Sequence, residues 1–341
     1  MTVTTLPTVE LGSTGMRITR VGFGAWALGG PDWAFGWGEQ DDAESIATIR
    51  HAIEHGVNWI DTAAVYGLGH SEEIVAEALA DLPSDERPYV FTKGGLIWDT
   101  SEPRQPPRRV AAPDSLRREV DDSLQRLRME RIDLYQVHWP PEDGTPVDAY
   151  WQTLVDLRRE GKVRAIGLCN HSPAQLERAE AVGHVDALQP PLSAIRRAAA
   201  EAEIPWCRDH GTGVIVYSPM QSGLLTGTFS LGRTRCLPAD DWRAHDSEFL
   251  GSRLGRNLIL ADALRPIAAR RRVSVAAVAV AWALAWPGVT GAIVGARHPS
   301  QVDGWLPAAT LSLSKADLDE IAAAIARSGA GQGPAHPLGE R

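Results

Sequence analysis

Six apolar runs in this chain end on a polar residue whose type could do chemistry. Asp61 closes Val57-Asn-Trp-Ile-Asp61, Lys93 closes Tyr89-Val-Phe-Thr-Lys93, and His138 closes Asp133-Leu-Tyr-Gln-Val-His138. Asn170, Gln189 and Tyr217 close the next three runs. A carboxylate, an ammonium and an imidazole brought together can carry proton-transfer chemistry. Taken singly, a strand-end Asp reads as a cap, a Lys as a solvated charge and a His as a structural residue. Six in succession, at the same point of a repeat, read as one site.

The elements that must position them are strands alternating with helices. Strands are predicted over Val21–Gly24, Val57–Asp61, Tyr89–Lys93, Asp133–His138, Val163–Asn170, Val185–Gln189, Gly213–Tyr217 and Gly291–Gly295, each bounded by Gly, Pro or a charged residue. These runs are apolar without strict alternation, as expected of parallel strands covered on both faces. Between them Ser115–Arg128 places Leu116, Val120, Leu124 and Leu127 on one helical face, with Asp114 or Ser115 as N-cap. Ser71–Leu79 and Tyr150–Arg159 read the same way. Eight βα units favour a closed (β/α)8 TIM barrel, in which the strand C-termini meet on one rim.

No linker divides the chain, so residues 1–341 are expected to form a single barrel domain. Residues 6–19, with the turn Gly12-Ser-Thr-Gly15, predict a hairpin plugging the barrel floor. Residues 96–113 and 219–256 read as long rim loops, and 328–341 as an irregular C-terminal tail.

The composition is that of a soluble globular protein. Of 341 residues 44% are apolar and 23% charged, and the net charge of −9 is not gathered into blocks, so neither nucleic acid nor a membrane is expected as partner. Cys169, Cys207 and Cys236 suggest neither a disulfide framework nor a zinc site, and no metal is expected. The N-terminus lacks a signal-peptide pattern, and the longest apolar run, Val275 to Trp286, is short of the roughly 20 residues that span a bilayer. A buried helix in a cytoplasmic protein is the expectation, and the oligomeric state stays open.

At these positions the chain resembles the aldo-keto reductases, with its nearest likeness to the bacterial general stress protein 69 group. The resemblance rests on Asp61-Thr-Ala-Ala-Val-Tyr66-Gly-Leu-Gly-His-Ser-Glu-Glu, on Asp133-Leu-Tyr-Gln-Val-His138-Trp-Pro, and on Gly161-Lys-Val-Arg-Ala-Ile-Gly with Asn170; it runs from about residue 8 to 310. It implies reduction of an aldehyde or ketone with NADPH by a tetrad of Asp61, Tyr66, Lys93 and His138. Lys93, held by Asp61, would lower the Tyr66 pKa, since a nearby ammonium favours the phenolate. Tyr66 would then protonate the carbonyl oxygen while His138 supports the developing alkoxide.

The resemblance also assigns cofactor contacts. Asn170 and Gln189 would clamp the nicotinamide carboxamide, Tyr217 would stack on its ring, and the loop holding Ser218, Pro219, Gly223 and Leu224 would cover the pyrophosphate. Gly24 at the end of the first strand, Ala25 and Trp26 just after it, and Asp61 are expected at the cofactor too. Gly295, Arg297 and Gln301 follow the last strand into a helix whose amides suit a phosphate, and Arg297 could pair with a 2′-phosphate. Three departures stand out: Gly304 and Trp305 replace the usual Glu-Asn at adenine, Leu192 replaces an aromatic residue, and Cys169 replaces a common Ser.

Twelve tryptophans are many, and Trp26, Trp33, Trp37, Trp98 and Trp139 fall in or beside rim loops. Trp26, Trp98 and Trp139 are the expected substrate contacts, suited to flat or apolar carbonyl compounds and to the apolar faces of sugars. Gly22-Phe-Gly24-Ala-Trp-Ala27 also fits the G-x-G-x-x-A dinucleotide fingerprint, with Asp41 or Asp42 farther on. The next residues, Leu28-Gly-Gly-Pro-Asp-Trp33, read as a loop rather than a helix, which argues against that motif. Two other functions fit the same residues: a sugar or polyol dehydrogenase, and a regulatory cofactor-binding subunit with little turnover.

Overall fold

All eight predicted strands form, and they close on one another. The computed structural model describes residues 5–83, 86–238 and 240–337. The strands and helices run β3 (Val21–Gly24), α1 (Asp42–Glu54), β4 (Trp59–Asp61), α2 (His70–Leu79), β5 (Tyr89–Gly94), α3 (Pro113–Leu127), β8 (Ile132–Val137), α4 (Val147–Arg159), β9 (Val163–Cys169), α5 (Pro173–Glu180), β10 (Ala187–Gln189), α6 (Glu203–His210), β11 (Gly213–Val216) and β12 (Gly291–Gly295). Every barrel neighbour pairs in parallel, and β12 pairs with β3 to complete the closed (β/α)8 barrel.

β1 (Thr8–Glu10) and β2 (Arg17–Thr19) are the expected antiparallel hairpin. Its Leu11, Met16 and Ile18 are fully buried and pack with Trp59, Phe91, Leu134 and Ile215 inside the barrel, so the hairpin is the floor of that core. Gly22 belongs to the same core: a Cβ there would lie 2.1 Å from the Trp59 ring. This explains the glycine of the rejected dinucleotide fingerprint, which makes room for an indole.

Three boundaries differ from expectation. α3 starts at Pro113 with Ala112 as N-cap and no side-chain cap, because proline at N1 sets the first helical φ, while Ser115 donates to Glu119 instead (3.0 Å). α4 starts three residues earlier than predicted, at Val147. The segment 96–113 is not wholly irregular, since β6 (Leu96–Ile97) and β7 (Arg108–Arg109) pair in it.

The segment 219–256 holds short 3-10 turns, the single turn α7 (Leu231–Thr234) and the start of α8 (Gly251–Ala263). After α8 come α9 (Arg265–Arg271) and the buried α10 (Val275–Leu284), which fills most of the longest apolar run. α11 (Pro299–Trp305) and α12 (Lys315–Ser328) close the described chain. Residues 329–337 are irregular but pinned: buried Arg197 donates to the carbonyls of Ala330 (3.1 Å) and Gly333 (3.1 Å). The end of the expected tail, 338–341, lies outside the described residues. Among the described residues no helix is long and apolar enough to cross a membrane.

Candidate active site

The six strand-end residues meet at one rim, as their shared place in the repeat predicts. Asp61 and Gln189 end β4 and β10, Lys93 is the penultimate residue of β5, and His138, Asn170 and Tyr217 stand one residue beyond β8, β9 and β11. The backbone is pushed into unusual conformations there. Asn170 (φ 62°) and Ser218 (φ 56°) are left-handed although neither is glycine, a strain that clusters at functional sites. Tyr66 lies on the loop after β4, and the chain turns sharply beyond it. Gly67 has φ 59°, and a Cβ on it would lie 2.1 Å from the Gly29 carbonyl. Only glycine allows that close approach between the loops after β3 and β4.

Lys93 is the buried hub. Its Nζ donates to Asp61 Oδ1 (2.5 Å), to the Thr62 carbonyl (2.8 Å) and to the Tyr66 hydroxyl (3.5 Å). Gln189 Nε2 donates to the other Asp61 oxygen at 2.9 Å, so the carboxylate is held from both sides. Burial alone would lower the Lys93 ammonium, but the Asp61 charge carries it above its ordinary range. Burial pushes the Asp61 carboxyl up, and Lys93 pulls it back. We read the pair as ionised, because the carboxylate accepts from both Lys93 and Gln189.

The expected lowering of the Tyr66 pKa does not occur. Burial raises the phenol by more than the Lys93 charge lowers it, which leaves it at about 12. The ammonium 3.5 Å away is already neutralised by Asp61, which itself repels a phenolate. His138 moves the other way: burial, then Lys93 and Arg109, lower it well below the usual range, so the ring is neutral. The Tyr66 and His138 rings meet edge to face, 5.6 Å between centroids.

A cleft of about 980 Å³ opens over these groups. Asp61, Tyr66, His138, Asn170, Gln189 and Tyr217 line one end of it. Gly24, Ala25, Trp26, Trp139, Ser218, Pro219, Gly223, Gly295, Arg297 and Gln301 also line it, as do Gly304 and Trp305. Two expected contacts fall elsewhere. Leu224 is fully buried in the main core, because the turn at Gly223 (φ 104°) points it inward. Trp98 packs against the apolar cluster of Trp33, Ala63, Val65 and Leu96 without lining the cleft.

Arg297 is not the free cation its sequence position suggests. Its guanidinium donates to Gln40 Oε1 (2.7 Å), to the Trp37 carbonyl (3.0 Å) and to the Glu39 carbonyl. It thereby ties the loop after β3 to the end of β12. The same loop is clasped from the 219–256 segment, where Trp242 stacks on Trp26 (5.2 Å) and Arg243 lies over Trp37 (4.5 Å). Buried Arg243 is in turn fixed by Asp241 at 2.5 Å. Gln40, Trp242 and Arg243 carry no sequence signal of this role, since nothing local to two irregular segments some 200 residues apart shows that they meet. Arg196, exposed at the cleft wall, carries none either.

The barrel and the rim constellation define an oxidoreductase scaffold, and the comparisons agree. The model of the Aldo/keto reductase family matches residues 20–326, and the chain belongs to that family. It is 34% identical over 313 residues to the aldo-keto reductase YhdN of Bacillus subtilis, covering 92% of this chain and 91% of that protein. It is 36% identical over 332 residues to the NADH-specific methylglyoxal reductase of Escherichia coli, covering 94% and 99%. Among solved structures, a glycerol dehydrogenase of Gluconobacter oxydans is similar with a TM-score of 0.86 and 37% identity, covering 96% of this chain and 97% of that one. The protein is a nicotinamide-dependent oxidoreductase of this family.

Proposed function

We propose that the chain reduces the carbonyl of an aldehyde or ketone to an alcohol, with Tyr66 as the proton donor and NADPH as the reductant. The observation that carries this reading is the chain of contacts from Asp61 through Lys93 to Tyr66, at 2.5 and 3.5 Å, ending on a phenol at the cleft.

The residues present fit a nicotinamide dinucleotide. Gln189 donates to Asp61 and Gln136, which leaves its own oxygen free, and Asn170 keeps one amide N–H after donating to the His138 carbonyl. One spare acceptor and one spare donor complement a carboxamide, with the Tyr217 ring beside them. The bound cofactor supplies the hydride. The protein supplies the proton and the electrostatics.

Tyr66 stays protonated through neutral pH because burial lifts its pKa to about 12. As the substrate oxygen gains charge, the phenol gives up its proton, and Lys93 stabilises the phenolate left behind. Neutral His138 donates a hydrogen bond to the same oxygen.

Preference for NADPH rests on cations at the far end. Arg233, Arg243 and Arg297 all line the cleft. Burial and then the charge of Arg243 lower the Arg297 guanidinium, Asp241 and Glu44 recover part of that shift, and a 2′-phosphate would add further opposite charge. Arg297 keeps two N–H groups beyond its three loop contacts. Three free thiols fit a reducing, cytoplasmic setting.

At the catalytic end Trp26, Trp33, Phe35, Leu96 and Trp139 form an apolar wall suited to flat or apolar carbonyl compounds. A second reading, oxidation of a polyol by the same residues, is favoured by the likeness to the Gluconobacter glycerol dehydrogenase. The test is carbonyl-dependent NADPH consumption over a panel of aldehydes and ketones, with NADP+ reduction by polyols alongside. Faster turnover of polyols at neutral pH would favour the second reading, and no turnover of either class would overturn both.

A further inference from the structure

A second cluster of chemically capable side chains lies away from the cleft, on the outside of the barrel. His51 lies in the last turn of α1 and His55, four residues on, is its C-cap, so they share a face, and their rings lie 4.1 Å apart. Asp303 on α11 meets them from across the helix pair, its Oδ1 2.7 Å from His51 Nε2. The candidate ligand atoms of all three lie within 4.8 Å of one another. None of the three lines the catalytic cleft.

We propose that His51, His55 and Asp303 form a binding site for a divalent transition metal, zinc being the best match. His55 Nδ1 is 2.7 Å from the His51 carbonyl, which can only accept, so Nδ1 carries the proton and Nε2 keeps its lone pair. A backbone carbonyl orienting the non-ligating nitrogen is the arrangement that metal-bound histidines use. A carboxylate also only accepts, so a proton sits between His51 Nε2 and Asp303. Zinc displaces that proton, which moves to His51 Nδ1 or, from a doubly protonated ring, to solvent, and takes both atoms as ligands, with His55 Nε2 as the third and water completing the shell. Two imidazoles and one carboxylate suit zinc better than magnesium or calcium, which prefer all-oxygen shells. The ion cross-links α1 to α11, the helix that carries Gln301 and Gly304 to the cleft wall. The cysteines alone gave no expectation of a metal, whereas the spacing His51-x-x-x-His55 on one helical face is the sequence signal of this site.

The test is titration of the untagged chain with zinc against a chromophoric chelator, in a Cys236→Ser background that removes the exposed thiol. One zinc per chain is expected, with a rise in Tm on loading. His55→Ala, whose side chain bonds only within its own helix turn, should weaken binding by at least about tenfold and abolish the rise in Tm. Asp303→Asn should also weaken it. Unchanged zinc affinity in His55→Ala, or no zinc retained by the Cys236→Ser chain in competition with the chelator, would overturn the proposal.

Discussion

Lys93 Nζ stands 2.5 Å from Asp61 Oδ1, and neither side chain is more than 3% exposed. Two charges so placed depend on each other, because removing one strands the other in a dry interior. Lys93→Met should therefore lower stability by about 3–5 kcal/mol in denaturant unfolding, and adding Asp61→Leu should restore part of it. A single variant as stable as the wild type would mean that the pair is not ionised.

Arg297 couples the loop after β3 to the far end of the cleft through Gln40 and two carbonyls. Arg297→Ala should weaken both cofactors by loosening the loop, and NADPH by roughly tenfold more than NADH. Fluorescence titration with the two cofactors separates these effects. Equal losses would leave Arg297 as a latch alone and move the phosphate contact to Arg233.

The Trp26–Trp242 stack, with centroids 5.2 Å apart, bridges the two loops over the cleft. Such a pair is worth about 0.5–1.5 kcal/mol. Trp242→Ala should speed cofactor release by about fivefold in stopped-flow displacement. Unchanged release would show that the stack does not gate the cleft.

Glu119 gives a pH signature. It accepts from the Gly95 amide (2.7 Å) behind β5, and burial pushes its carboxyl up to about 6 from 4.5. The folded state thus holds the proton more tightly than the unfolded chain. The group costs nothing below about pH 4.5, loses stability as pH rises toward 6, and at pH 7.5 costs about 2 kcal/mol. Glu119→Gln should gain stability over the wild type across that window. A difference independent of pH would contradict the assignment.

The barrel was legible because each strand is a short apolar run with a marked end, and the polar residue at that end pointed to the rim. Asp61, Lys93 and His138 could be read this way without knowing what paired with what. The Tyr66 acidity could not, since it depends on how Asp61 neutralises Lys93 and how deeply the phenol is buried. Leu224 and Arg297 show the same limit. A left-handed turn sends one into the core, and a loop distant in sequence engages the other.

The central claim is that Tyr66 gives the proton. Single-turnover reduction of an aldehyde with NADPH, comparing the wild type with Tyr66→Phe, tests it most directly. The rate should fall by about 10²–10⁴-fold with NADPH affinity nearly unchanged. Hydride transfer at the wild-type rate in Tyr66→Phe would contradict it.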